Sequence, residues 1–334
     1  MPTIRLPECP EKRERLARML DENGVISALA IDQRGAMKKL IAPFHEPKAE
    51  DIVEFKKLVA QELTAHTSAI LLDPEYGLPA SKLRDKNCGL LVAYERTGYD
   101  ATTPGRLPDL LSVWSVRRLK EAGADAVKFL LYYDPDEGDA INDQKRAFVE
   151  RIGDECRAEG MPLFVELVTY DAGTTGLNGL DPKSAEYART KPGKVIAATR
   201  EFSDPRYGVD VLKLEVPVNM AFVEGFTAEG VEPVYTQAEA AAYFKEQSDA
   251  TDLPFIFLSA GVTAELFRRT LVFAHDAGST FNGVLCGRAT WKDGVAEFAG
   301  KGEEAARAWL AGEGRENVAE LNEVLAKNAT GIRL

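Results

Sequence analysis

Three consecutive apolar runs decide how this chain is read: ADAVKFLLYY (124–133), PLFVELVTY (162–170) and VDVLKLEVPV (209–218). Each is a strand-length stretch of aliphatic and aromatic residues with a charge in its middle, Lys128, Glu166 and Lys213 in turn. A charge inside a sheet is costly unless it is paired or put to use. Two lysines and a carboxylate converging in one interior supply the groups for amine-based covalent chemistry.

Similar runs extend in both directions. VISALAID (25–32), SAILLDPEYG (68–77) and GLLVAYE (89–95) come before, and PFIFLSAGV (254–262) and NGVLCGRATW (282–291) come after. Near-continuous apolar runs signal strands covered on both faces, as in a parallel sheet. Between them lie amphipathic stretches such as DIVEFKKLVAQELTAH (51–66), LLSVWSVRRLKEAG (110–123), INDQKRAFVERIGDECRAEG (141–160) and QAEAAAYFKEQSDA (237–250). Gly123 and Gly160 stand where a helix C-terminus calls for glycine. Strand–helix alternation repeated eight times predicts an α/β fold, a single (β/α)8 TIM barrel with extra terminal helices. An open doubly wound sheet fits less well, because no G-x-G-x-x-G follows the first run. The tail GKGEEAARAWLAGEGRENVAELNEVLAKNATGI (300–332) predicts one or two closing helices, and no linker or repeat divides the 334 residues into separate domains.

Composition narrows the function classes. A hydrophobic content of 45% with 28% charged residues is that of an ordinary globular protein. A formal net charge of −12 argues against non-specific nucleic-acid binding. The four cysteines, Cys9, Cys88, Cys156 and Cys286, have no metal-site or disulfide-framework spacing. The N-terminus lacks a signal-peptide layout and no apolar run reaches membrane-spanning length, so a cytoplasmic location is expected.

In a barrel the chemistry sits at the C-terminal ends of the strands. Strand alternation puts Lys213 and Glu215 on one face, and likewise Asp32 and Arg34 at the exit of the first run. Lys128, Glu166 and Lys213 occupy consecutive strands four, five and six, so they converge if all point inward. A like-charged neighbour and partial burial both disfavour a protonated lysine, which would keep one amine free as a nucleophile. Glu215 is left open, as a partner of Lys213 or of a neighbouring helix. The seventh and eighth runs end in Ser259-Ala260-Gly261 and Cys286-Gly287-Arg288. Those two loops are the usual phosphate site of this fold, built from backbone N–H groups, glycine and arginine. His45, His66 and His275 all lie away from strand ends, which favours an amine over an imidazole-bound metal.

The segments ISALAIDQRGAMKKL (26–40), ILLDPEYGLPASK (70–82), LLVAYERTGYDATTPGRLPDLL (90–111), WSVRRLKEAGADAVKFLLYY (114–133), VDVLKLEVPVNMAFVEGF (209–226), FIFLSAGVTAELF (255–267) and GVLCGRATWKDGV (283–295) resemble the tagatose 1,6-diphosphate aldolase family of class I aldolases. The resemblance runs from about Gly24 through the C-terminal helices. It implies a cofactor-free Schiff-base enzyme with Lys213 as nucleophile, Glu166 as acid–base residue and Lys128 beside the nucleophile. Asp32 and Gln33 would contact substrate hydroxyls or the Schiff-base lysine. Ser259, Gly261, Gly287 and Arg288 would hold the phosphate on the ketone-derived half, with Arg34 a weaker candidate for the other. Enclosure of Glu166 is expected to raise its pKa. The substrate implied is a phosphorylated ketose cleaved to two triose phosphates, the catalyst a homodimer without nucleic-acid or membrane partners. Relatives acting on sulfosugar phosphates define an alternative substrate; an isomerase or epimerase barrel and a non-catalytic sugar-phosphate sensor define alternatives of other classes. The segment DAGTTGLNGLDPKS (171–184) matches no motif of the resemblance, and loops in that position set substrate choice.

Overall fold

The computed structural model describes residues 4–96, 103–173 and 179–334. Eight strands close into a parallel barrel in sequence order. They are β1 (Ile26–Ala30), β2 (Ala69–Leu72), β3 (Gly89–Ala93), β4 (Ala126–Tyr133), β5 (Leu163–Thr169), β6 (Val211–Leu214), β7 (Phe255–Leu258) and β8 (Gly283–Cys286). Each lies inside one of the eight apolar runs. Most are shorter than their run, because SAILLDPEYG turns at Asp73-Pro74 and NGVLCGRATW enters a helix at Arg288. Closure pairs Ile26 with Gly283 and Leu29 with Cys286. Gly283 has φ +136, and a Cβ there would collide with the Ile26 carbonyl, so the seam of the barrel needs glycine.

The helical layer departs from strict alternation at two places. Among the described residues, only Leu78–Ser81 is helical after β2, and only Val116–Glu121 between β3 and β4. The stretch expected at 51–66 forms Ala49–Leu63. An N-terminal helix absent from the sequence reading, Pro10–Ala17, lies under the barrel, where Leu16 and Met19 join the interior residues. Lys12 of that helix makes a buried ion pair with Asp210 at 2.7 Å. The C-terminal segment forms Glu303–Trp309 and Arg315–Asn328, the latter burying Val318, Leu321 and Leu325.

The barrel interior is built in layers. Its lower part is apolar, with Ala28, Leu71, Leu91, Ala126, Phe164, Val211, Ile256 and Leu285 in one buried cluster. Side chains two residues further along a strand point the same way. On β4, β5 and β6 that step leads from Ala126, Phe164 and Val211 to Lys128, Glu166 and Lys213. The registers pair Glu166 directly with Lys213, and Lys128 with Phe164 on one side and Ala93 on the other. A charged layer therefore rests on an apolar one.

Candidate active site

Lys213, at 4% exposure, reaches Glu166 Oε1 at 2.8 Å. The other oxygen of the same carboxylate, Oε2, meets Lys128 Nζ at 2.7 Å, so Glu166 bridges the two lysines. Lys128 is almost fully buried and also binds Glu95 Oε1 at 2.7 Å and Asp32 Oδ2 at 3.0 Å. Three ammonium hydrogens thus meet three carboxylates, the full donor capacity of a lysine.

This arrangement fixes the charge of Lys128 and corrects the expectation for Glu166. Burial would lower the Lys128 pKa, but Asp32, Glu166 and Glu95 outweigh it and hold the amine well above its ordinary value. Lys128 is therefore a fixed cation and not a free amine. Burial alone would raise Glu166, as expected from enclosure, yet the ammonium groups of Lys128 and Lys213 reverse the sign and hold it below the usual carboxylate range. Asp32 is lowered for the same reason: burial opposes ionisation, and Lys128 and then Lys213 override it.

Glu95 belongs to this group and was not singled out from sequence. It ends the third apolar run two residues past Ala93, the register partner of Lys128. Counting Leu91, Ala93, Glu95 along one face would have placed it inside. Its carboxylate also accepts the Leu130 backbone N–H at 3.2 Å. Arg34 supports it from behind: Nη2 donates to the Glu95 carbonyl at 2.8 Å and Nη1 pairs with Glu75 at 2.5 Å. Arg34 is 3% exposed, and both terminal nitrogens are engaged by protein. The structure therefore places Arg34 behind Glu95 and not at an open subsite. Another pair not foreseen, Lys56 with Asp73, is wholly buried just outside β2.

Glu215 and Lys213 do not share a partner. β6 ends at Leu214, so strand alternation stops holding one residue later. The Glu215 carboxylate accepts from the Thr169 N–H and Oγ1, both at 2.7 Å, and pairs with Lys191 at 3.2 Å. It belongs to the neighbouring helix Ala185–Glu201, one of the two readings left open by sequence.

The phosphate candidates gather at the outlet of β7 and β8. Ala260 and Gly261 have φ +49 and +78, which turns the chain sharply after Ser259. A Cβ on Gly261 would come within 2.9 Å of Arg288 Nη2, so the exposed Arg288 guanidinium lies over this turn. Gly287 caps the helix Arg288–Lys301, whose first N–H groups lack intrahelical acceptors. Gln33 Nε2 stands close to Gly287, while its buried Oε1 has no hydrogen-bond partner among the described residues. An unpaired buried acceptor at a barrel mouth fits a ligand hydroxyl. Cys286, against Ser259, lies within electrostatic reach of Lys213, which joins this outlet to the lysine layer. The three histidines are exposed and remote, as expected. Of the unmatched loop 171–184, residues 174–178 lie outside the described residues.

Comparison with known proteins decides the family. The model for "DeoC/LacD family aldolase" matches residues 26–293. The chain belongs to the DeoC/LacD aldolases. This aldolase is 61% identical over 322 residues to tagatose 1,6-diphosphate aldolase 1 of Enterococcus faecalis, covering 96% of the chain and 97% of that relative. It is 58% identical to tagatose 1,6-diphosphate aldolase of Streptococcus pneumoniae, with the same coverage. Among solved structures, a fructose-bisphosphate aldolase from Plasmodium falciparum superposes with a TM-score of 0.71 at 17% identity, covering 99% of both chains. A Schiff base-forming fructose-1,6-bisphosphate aldolase superposes with a TM-score of 0.54 at 18% identity, over 88% of this chain and 96% of that one. At such identities the two structures speak for the barrel alone.

Proposed function

We propose that the aldolase works through a Schiff base on Lys213 and reversibly cleaves a ketohexose 1,6-bisphosphate to dihydroxyacetone phosphate and glyceraldehyde 3-phosphate. D-tagatose 1,6-bisphosphate is the preferred substrate on this reading, with fructose 1,6-bisphosphate also accepted. The observation that carries the mechanism is the bridge of Glu166 between Lys213 at 2.8 Å and Lys128 at 2.7 Å. The names of the relatives, at 56–62% identity, support the choice of sugar.

The chemistry begins with a proton moving from the Lys213 ammonium to Glu166, along the existing contact. The neutral amine adds to the C2 carbonyl, and the Glu166 carboxyl returns the proton to the departing hydroxyl, which leaves as water. The iminium nitrogen then draws the electron pair of the C3–C4 bond. Loss of the C4 hydroxyl proton to Glu166 releases the aldehyde, and the enamine left on Lys213 is protonated at C3 and hydrolysed. Lys128 keeps its charge throughout, so Glu166 is ionised at the start of each cycle. Ser259, Gly261, Gly287 and Arg288 hold the phosphate of the ketone-derived half, and Gln33 Oε1 accepts a substrate hydroxyl. Anchoring of that half fixes C2 beside the amine, the positioning that makes addition effectively unimolecular.

Borohydride reduction in the presence of dihydroxyacetone phosphate tests the mechanism. A stable adduct on Lys213, located by peptide mass spectrometry, is expected; an adduct on another lysine, or none, overturns it. Comparing cleavage rates of tagatose, fructose and sulfofructose phosphates tests the choice of sugar.

A further inference from the structure

Arg106 stands on the segment between β3 and β4, at the mouth of the barrel. Its guanidinium lies 5.2 Å from the Tyr132 ring centroid and 4.6 Å from that of Tyr170. Tyr132 has the same strand parity as Lys128 and therefore faces inward from the top of β4. Its hydroxyl lies within electrostatic reach of Arg106 on one side and of Glu166 and Lys128 in the charged layer on the other. Tyr170, just past β5, is 4% exposed and fixed by its hydroxyl, which accepts from Lys145 at 2.8 Å and donates to Glu137. Two anchored rings thus hold one cation.

The backbone supports the same conclusion. Arg106 has φ +41, one of two non-glycine residues with positive φ among the described residues, and the other, Ala260, forms the turn under Arg288. Strained conformations of this kind are retained where the surroundings enforce them, often at ligand clamps. The preceding Gly105, at φ +91, packs against Ile141 of the helix Asp139–Ala158, which fixes where the arginine can stand.

Position around the ring supplies the function. In a closed barrel of eight strands the gap between β7 and β8 faces the gap between β3 and β4. The Gly261–Arg288 outlet and Arg106 therefore stand on opposite sides of the mouth, with Lys213 and Glu166 between them. Arg34, the other cation considered for a second phosphate, is engaged by Glu75 and the Glu95 carbonyl. We infer that Arg106, stacked on Tyr132 and Tyr170, receives the distal phosphate of the substrate and so sets the preference for a doubly phosphorylated chain. Stacking uses the flat faces of a guanidinium and leaves its N–H edge for an oxyanion, a task to which the lysine point charge is less suited. The inference rests on the proposed aldolase reading for the identity of the chain that spans the mouth.

The test uses hexitol 1,6-bisphosphate and hexitol 1-phosphate, polyols that lack a carbonyl and form no Schiff base. Equilibrium binding to the whole chain is expected to favour the bisphosphate by roughly 10- to 100-fold, the range for charge-assisted hydrogen bonds to one half-buried cation. Arg106→Gln is expected to abolish that preference by weakening the bisphosphate alone, and Arg106→Lys to restore part of it. Absence of a preference in the unaltered protein overturns the inference. So does a preference that survives in Arg106→Gln, or an equal loss for both polyols. Borohydride trapping with dihydroxyacetone phosphate on the same samples judges the Schiff-base reading separately. A missing Lys213 adduct with an Arg106-dependent preference would refute that mechanism and leave the distal site standing.

Discussion

Replacing Lys128 by methionine keeps the volume of the side chain and removes one charge from the middle of three carboxylates. Asp32, Glu95 and Glu166 would then be left with Lys213 as the nearest cation named in these contacts. Breaking a buried ion pair by deleting one partner costs about 3–5 kcal/mol. Proton uptake by the orphaned carboxylates recovers part of that. Two unit charges about 4 Å apart at an effective dielectric constant near 20 interact by about 4 kcal/mol, equivalent to roughly three pKa units. Lys213 remains on Glu166, so a rise of at least one unit in the Glu166 pKa is the smaller figure expected. The sign follows from linkage. Glu166 and Asp32 are depressed in the folded protein, so their stabilisation is present above the unfolded carboxylate pKa and fades as pH falls through the folded one. Lys128 is raised, so its stabilisation is complete below the unfolded lysine pKa and is lost only as pH climbs through the folded value. The Lys128→Met variant should therefore lose stability most at neutral pH and less in acid. The acid limb of kcat/KM should move to higher pH by about one unit or more. Urea unfolding at several pH values and a pH–rate profile read both effects. Lys301→Met is the control: its pair with Glu297 is surface-exposed, and a change within about 0.5 kcal/mol is expected. An unchanged acid limb, together with a Lys128→Met stability loss no larger than the control's, would refute the account of the cluster.

Gly261→Ala should strain a backbone at φ +78 and press a methyl group against Arg288; a KM for dihydroxyacetone phosphate in borohydride inactivation raised about 10-fold, about 1–2 kcal/mol, is expected, and an unchanged concentration dependence counts against the phosphate outlet. Lys56→Met leaves Asp73 buried without its cation and should cost about 3–5 kcal/mol, whereas the double variant Lys56→Met with Asp73→Leu should recover most of it. Chemical denaturation of the two single variants and the double closes that cycle. Glu215→Gln weakens the bonds to Thr169 and Lys191 while leaving Lys213 with Glu166; faster hydrogen exchange at the Thr169 amide, with the Lys213 adduct still formed, is the expected result.

The strands were legible because parallel-barrel strands are covered on both faces and must be apolar nearly throughout, so a lysine or glutamate inside one is conspicuous. That property located Lys128, Glu166 and Lys213, and their adjacency followed from strand order. It did not disclose their protonation. The lysines are neighbours in sequence order, but the carboxylates that fix Lys128 come from just past the ends of β1 and β3 and from the middle of β5, and only closure of the barrel brings them together. Glu95 was hidden because the last residue of an apolar run reads as the start of a loop. Glu215 was misleading for the opposite reason: alternation was extended one residue beyond the hydrogen-bonded strand. The N-terminal helix Pro10–Ala17 carries few apolar residues, so its role beneath the barrel depends on Leu16 and Met19 and is not written as a periodic stripe.

An excess of carboxylates over lysines in a buried layer is unfavourable for a resting protein and favourable for the proposed intermediate. The charge of a lysine depends on a proton that can leave; the charge of an iminium ion is fixed by bonding. Asp32, Glu95 and Glu166 set a negative potential in a layer closed below by Phe164 and Val211, where charges are screened weakly. That potential stabilises the cation formed on Lys213, and fixed groups need not reorganise as the charge develops. Lys128 sustains the effect: without it the carboxylates would take up protons, and the potential would vanish with their charge. On this argument the buried cation has its catalytic value as the group that keeps its three partners ionised. Lys128→Gln, able to donate hydrogen bonds without carrying charge, should then fail to return the acid limb from its shifted position in the methionine variant.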